Sequence, residues 1–416
     1  MPQKIKDSMI VLIHKKGSRT NPNNYRPINL LSHIYKVFIS ILYDRLNTDF
    51  VKYLPEEQAA YQENRGCTEQ IFSLLQVAEK AIEFNKPLHI VFIDFCAAFD
   101  SIKWSSIWET LERTGINLNY IDIFKCLYEN SRARVRTDVG MTEFFNIKKG
   151  AKQGDKISAI LFCLVLATVT LNITDRHKNG FEIGKIVLTY FAYSDDKVIL
   201  GENNEDLQKY LDEFVGEAEK VGLQINKSKT KSMTIKSGDS GTVFKIGDNY
   251  LDQVDSFTYL GHEISSKNCH EKAISRRICL AWAAFKKKAH LFNSKKIPTS
   301  IKLKLYRVYI QPVVLYGMES ITWTKRLTQK VRVFQNDMMR SICGYKRAEH
   351  ISINHLLEKT GLEAITDIIK KRTSKWETKI INSNAGVVKL CLEGDINGKR
   401  KRGRPKLRWK ESHGNL

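Results

Sequence analysis

The sequence predicts an α+β fold, on three observations. Strand-like apolar runs and helical segments are mixed without the regular βαβ alternation of a parallel sheet. Two strand-like runs, "PLHIVFIDF" and "YFAYSDDKVIL", are ended or interrupted by carboxylates. Beyond Lys267 the character changes to helices rich in Lys, Arg and Trp. The 416 residues are 42% hydrophobic and 10% aromatic, enough for two or three domains with real cores and unlike a disordered chain.

Taken in order, "MIVLIH" predicts a short strand, followed by the basic, turn-rich "KKGSRTNPNNYRPI". Apolar spacing near 3.6 predicts a helix from about Ser32 to Asp49. Pro87–Phe95 reads as a buried strand closing on Asp94, and Ser101–Thr114 as a helix with Trp104, Ile107, Trp108 and Leu111 on one face. "FFNIKKG" is strand-like. Ile157–Ile173 carries no charge, but it is short for a membrane span and contains Ser, Thr and Asn, so a buried core helix is expected. The hairpin around Asp195 and Asp196 follows, then a helix over about Glu205–Val221 and the run "GLQINKSKTKSMTI".

Charge narrows the partner. There are 67 Lys+Arg against 45 Asp+Glu, a net +22 with pI near 9.5, which points to a polyanion, most often nucleic acid. No basic amphipathic terminal helix suits a membrane surface, and "MPQKIKDSMIVLIHKKG" is too charged for a signal peptide, so a soluble chain is expected. Eight scattered cysteines lack C-x-x-C spacing, which argues for a reducing compartment and against a zinc ribbon or disulfide scaffold.

Adjacent carboxylates in "YSDD" admit two readings: a solvated hairpin turn, or one edge of a metal site. The second needs a third acid. Asp94 supplies it, since it also closes an apolar strand, and two strands of one sheet can bring their ends together. Three such carboxylates repel one another and persist with a cation between them. Hard oxygen ligands favour Mg²⁺, and paired ions are a recurring device for phosphoryl transfer.

Six stretches then stand in one order: "KKGSRTNPNNYRPINLL", "FIDFCAAFD", "GAKQGDKISAILF", "FAYSDD", "GLQINKSKTK" and "FTYLGHEIS". In that order they resemble the successive motifs of the reverse transcriptase of non-LTR (LINE-type) retrotransposons, over roughly residues 10–345. The resemblance implies a right-hand polymerase fold. Fingers are expected over 1–85 with 120–148 interleaved, and a palm with an antiparallel sheet from 86–119 and 149–266. A helical thumb over 267–345 and a basic C-terminal extension over 346–416 complete it. The implied activity is RNA-directed DNA synthesis, with an RNA template, a DNA primer or duplex, dNTPs and two Mg²⁺ ions for which Mn²⁺ can substitute.

By the same resemblance, Asp94 and Asp195 are the main metal ligands, Asp196 the supporting acid and the Phe95 carbonyl a further ligand. Phe99 matches the aromatic steric gate against a 2′-OH; a core aromatic is the plainer reading. Gln153 and Gly154 match the loop that touches the incoming nucleotide. Lys229 is a candidate general acid near the pyrophosphate, or a surface lysine. Arg26 and Lys15-Lys16 suit phosphate contacts, and the basic, aromatic segment after Lys267 suits a duplex grip.

The chain also departs from the family. Tyr61-Gln62 stands where Phe-Arg is common, which removes a triphosphate-binding arginine, with Arg65 the candidate replacement. Ser194 replaces the usual Ala, and Lys197 is expected to point away from Asp196. The tail "GKRKRGRPKLRWK", with Arg402, Arg404, Lys406 and Arg408, reads as an AT-hook, a family-type ending or a nuclear-import signal. All three place the chain on nucleic acid, in the nucleus in preference to the cytoplasm. With no room for an upstream endonuclease and no RNase H-like acid cluster, a truncated open reading frame is expected. The rivals are a degenerate remnant that only binds nucleic acid, and an RNA-templated RNA polymerase, against which Phe99 argues.

Overall fold

The computed structural model describes residues 2–15, 17–174, 176–177, 179–235, 243–267, 269–346, 349–383, 386–398, 400, 403 and 405–416. The expected first strand forms as β1 (Ser8–His14), followed by β2 (Tyr25–Leu30) and helix α1 (His33–Lys52). Ser32 starts α1, its hydroxyl accepting the Tyr35 N–H at 3.1 Å. Next come α2 (Cys67–Phe84), β3 (Leu88–Ile93), β4 (Arg132–Thr137) and α3 (Lys156–Thr174). The hairpin is β5 (Tyr190–Tyr193) and β6 (Asp196–Gly201), then α4 (Asn204–Lys220) and β7 (Lys231–Ile235).

Two sheets result. In the first, β1 lies between β2, antiparallel, and β4, parallel. The second runs Asp252–Gln253, β7, β3, β6, β5, with β3 antiparallel to both of its neighbours. All six residues of β3 are buried, because both faces of this sheet are covered. Strand alternation divides them: Val91 and Ile93 join one core with α3 and α4, while Leu88, Ile90 and Phe92 join another with α2. Among the described residues α3 alone is long and apolar enough to cross a membrane. However, 78% of its apolar window is buried, as expected of a core helix.

Beyond the sheets, α5 (Cys269–Lys287), α6 (Lys325–Cys343) and α7 (Ile365–Asn382) surround a third core that runs from Ala273 to Ile369. The boundary expected at 345 therefore falls inside continuous packing. The basic tail is also less free than its charge suggests. Trp409 is fully buried against Phe72 of α2, with ring centroids 4.8 Å apart, and its indole N–H donates to the Glu319 carbonyl at 2.8 Å.

Candidate active site

Strand register brings the acids together. In the β3/β6 pairing Lys197 faces Ile93, so Asp196 and Asp94 occupy the next opposed positions. Asp196 also pairs with Tyr193, which leaves Ser194 and Asp195 as a two-residue turn. Ser194 takes φ +61° while Asp195 does not turn positive, the pattern of a type II′ hairpin. A residue that sequence reasoning missed holds this turn. The buried Gln58 accepts the Ser194 N–H on Oε1 at 2.9 Å and donates Nε2 to the Ser194 carbonyl at 3.2 Å. Nothing local in "PEEQAAY" signals that role, because the partner lies far along the chain.

Burial and mutual repulsion shift these carboxyls. Burial raises the Asp195 carboxyl above its ordinary range, with Arg26 working against the shift and Asp94 adding to it. Asp196 is pushed up to about 6, first by the surrounding protein and then by Asp195 and Asp94. Its side chain remains exposed, so the neighbouring protein crowds it without enclosing it. Asp94 Oδ2 is buried without a hydrogen bond, the Lys229 ammonium standing 3.5 Å away. Phe95 bridges Ile225, but the flanking bonds Asn226 N–H to Asp94 O and Cys96 N–H to Gln224 O carry that pairing. The Phe95 carbonyl thus turns to the other side of its strand, towards β6. These are the oxygens that a divalent cation would use, but among the described residues no three acids are gathered into a group that could hold a metal ion as they stand.

The sign of the pH dependence follows. With its folded pKa raised, Asp196 holds a proton between about 4 and 6 that the unfolded chain has released, so its contribution to stability falls as pH rises through that window. A cation binds the charged form and reverses this. The rise in melting temperature on adding Mg²⁺ should therefore be larger at pH 7.5 than at pH 5.5. An equal rise at both would mean that these acids do not hold the ion.

Lys197 points to the opposite face from Asp196. It is buried against the Tyr190 ring at 3.9 Å and the Phe214 ring at 4.7 Å and donates to Thr170 of α3. Burial drives its ammonium well below the usual lysine range.

Phe99, in the short helix Ala98–Ser101, is half-buried and stacked on Phe162 of α3 at 4.5 Å, and this helix is stitched to the loop before α3. Ala151 N–H donates to the Phe99 carbonyl at 2.6 Å, and Trp104 Nε1 to the Gly150 carbonyl at 2.9 Å. Gly154 sits at φ +146°, where a Cβ would come within 2.4 Å of the Asn29 carbonyl of β2, so only glycine fits. Gln153 donates its amide to Asp100 Oδ1 at 3.1 Å, and burial raises the Asp100 carboxyl. Asp100 was also missed, although the second acid of "FIDFCAAFD" was a visible signal.

Not every expected residue gathers here. Arg26 is exposed on β2 and its charge reaches Asp195 and Asp196. Arg65 instead pairs with Glu69 at 2.7 Å and lines a groove of about 850 Å³ with Arg372, Lys375 and Lys379 of α7. Gln62 donates to the Gln58 carbonyl at 2.6 Å. In the tail, Arg408 pairs with Glu83 at 3.0 Å and Lys406 is exposed, while Arg402, Arg404 and Lys16 lie outside the described residues.

Comparison with known proteins identifies the family and the fold. The family model for reverse transcriptase (RNA-dependent DNA polymerase) matches residues 13–264. The chain is 27% identical over 325 residues to the retrovirus-related Pol polyprotein of retrotransposable element R2 from Popillia japonica, covering 76% of this chain and 44% of that protein. It is 24% identical over 432 residues to the RNA-directed DNA polymerase of mobile element jockey from Drosophila melanogaster, covering 99% and 45%. The chain thus spans less than half the length of either relative. The structure of apo telomerase from Candida tropicalis superimposes with TM-score 0.50 at 13% identity over 93% of this chain and 69% of that one, a likeness in the right-hand polymerase fold.

Proposed function

The chain belongs to the reverse transcriptase (RNA-dependent DNA polymerase) family, and on that premise we propose that it copies RNA into DNA, extending a primer 3′-OH with dNTPs. The observation that carries the proposal is the strand register that sets Asp94 opposite Asp196 with Asp195 in the adjoining turn, close enough for Asp195 and Asp94 to raise the Asp196 carboxyl. Two divalent ions, Mg²⁺ or Mn²⁺, held by these acids and the Phe95 carbonyl, would lower the pKa of the 3′-OH and offset charge on the leaving pyrophosphate.

The chain's own groups do the rest. Gln58 fixes the turn that presents Asp195. Lys229, drawn in by Asp94, is placed to give a proton to the pyrophosphate, and Arg26 to bind phosphate. Asp100 orients the Gln153 amide beside the Gly154 loop, where backbone can approach the nucleotide. In this reading the first sheet belongs to the fingers, the β3-centred sheet is the palm and the helical core after Lys267 is the thumb. Tail basic groups outside ion pairs, Lys406 among them, would hold duplex in a nuclear setting.

A second reading keeps one specific observation. Gln62 and Arg65 are both engaged elsewhere, so neither supplies the missing triphosphate charge, as in a remnant that binds without turning over. Primer extension on an RNA template, with each dNTP and with Mg²⁺ present or withheld, separates the two. The same assay tests the gate. Phe99→Val should admit ribonucleotides and reduce dGTP-over-rGTP selectivity by roughly two to three orders of magnitude. Unchanged selectivity in a folded variant would assign Phe99 to the core alone.

A further inference from the structure

The groove that Arg65 enters holds more positive charge than its own carboxylates can use. It lies between the start of α2 and one face of α7, and its volume of about 850 Å³ suits a small ligand. Arg372, Lys375, Trp376 and Lys379 recur at helical spacing, so α7 turns a single cationic face to the groove. With Arg65 that makes four cations in the lining, against two carboxylates, Glu69 and Glu319. None of Asp94, Asp195 and Asp196 lines it.

The ion pairs leave a surplus. Buried Glu69 takes both Arg65, at 2.7 Å, and Lys379, at 2.9 Å, and one carboxylate cannot neutralise two cations. Arg372 donates to Glu319 Oε1 at 2.6 Å, yet its side chain stays 41% exposed. Lys375 is exposed, and among the described residues no carboxylate pairs with it. The backbone adds to the field. The 18-residue helix α2 starts at Gly66 without a side-chain cap, and a Cβ placed there would meet nothing within 4 Å, so its first amides border open space.

Two lining residues that are more than nine-tenths buried also carry an atom without a hydrogen bond: the donor Nε1 of Trp376 and the acceptor Oε2 of Glu319. Guanidinium and ammonium groups beside free helix amides are the donors that a phosphate takes. The orphaned Glu319 oxygen asks for something more, a hydroxyl on the same ligand. A DNA backbone brings phosphates but no such donor. We propose that this groove is a phosphate site separate from the catalytic acids, filled by a small phosphate monoester that carries hydroxyl groups, such as a sugar phosphate or a nucleoside monophosphate. Lys375, Arg372 and the start of α2 hold the phosphate, Glu319 accepts from a hydroxyl, and Arg65 and Lys379 remain on Glu69. The site needs neither a metal ion nor catalysis, so it stands apart from the polymerase reading.

The test is calorimetric titration of the full chain with adenosine 5′-monophosphate in EDTA, which silences metal-dependent binding at the acids. The nucleotide should bind at one site, inorganic phosphate more weakly, and adenosine not detectably. Lys375→Glu reverses an exposed charge outside the core, so the melting temperature should hold while affinity falls about tenfold or more; Lys375→Arg should retain binding. Arg26→Ala, which removes the phosphate contact proposed beside the acids, should leave the affinity unchanged. Absence of binding at millimolar nucleotide would overturn the proposal, as would wild-type affinity in Lys375→Glu. Loss of binding in Arg26→Ala would overturn it too, by moving the nucleotide to the catalytic cleft. So would displacement of the nucleotide by a saturating RNA–DNA duplex, since the groove would then belong to a strand.

Discussion

Asp195→Asn should slow primer extension by about a thousandfold or more, because it removes a ligand charge worth several kcal/mol at the transition state. The substitution keeps size and hydrogen-bonding capacity, and the turn is held by Gln58 through the Ser194 backbone, so the fold should survive. Primer–template affinity should hold or rise slightly, since one negative charge facing phosphate is gone. Asp94→Asn should behave alike. Asp212→Asn, exposed on α4 and bonded only to Gln208 among the described residues, should leave the rate unchanged. The measurement is single-turnover extension beside binding anisotropy. Extension by Asp195→Asn at near wild-type rate would remove these acids from the chemistry.

Trp409→Ala should destabilise the protein by about 3–5 kcal/mol, the cost of a large aromatic cavity in a packed core. It would empty the space between Phe72, Trp376 and Val388 and leave the Glu319 carbonyl without its donor. Urea denaturation followed by tryptophan fluorescence and circular dichroism reads this directly; a loss below about 1 kcal/mol would mean that the C-terminal segment is not part of the core. The tail can therefore not be tested by deleting residues 399–410, because the deletion also takes Trp409. Neutralising Lys406 alone separates charge from packing.

The palm was legible because its signals are local. A largely apolar strand closing on Asp94 and a hairpin breaking at Asp195-Asp196 announce themselves through composition, and antiparallel pairing then fixes how they meet. The helix Lys156–Thr174 was legible as core for the same reason. What the sequence concealed depends on distant partners. Gln58 is one amide in an unremarkable run until Ser194 is folded against it. Arg65 resembles a phosphate contact until Glu69, one helical turn on, claims it. Trp409 is hidden by its basic flanks: eight cations in twelve residues describe a solvated tail, and one buried indole contradicts that description.

The central position of β3 has a consequence for synthesis. Its five apolar residues, with His89 among them, emerge from the ribosome long before β6 and β7, the two strands that pair with its edges. α2, already made, can cover one face, but the other waits for α3 at Lys156–Thr174. Until then the nascent chain carries a hydrophobic strand with both edges unsatisfied, the kind of segment that pairs with whatever strand is near. Most of the sheet's closing contacts are long-range, and such contacts form slowly. Yield from an expression host should accordingly depend more on how that interval is sheltered than on the stability of the finished fold.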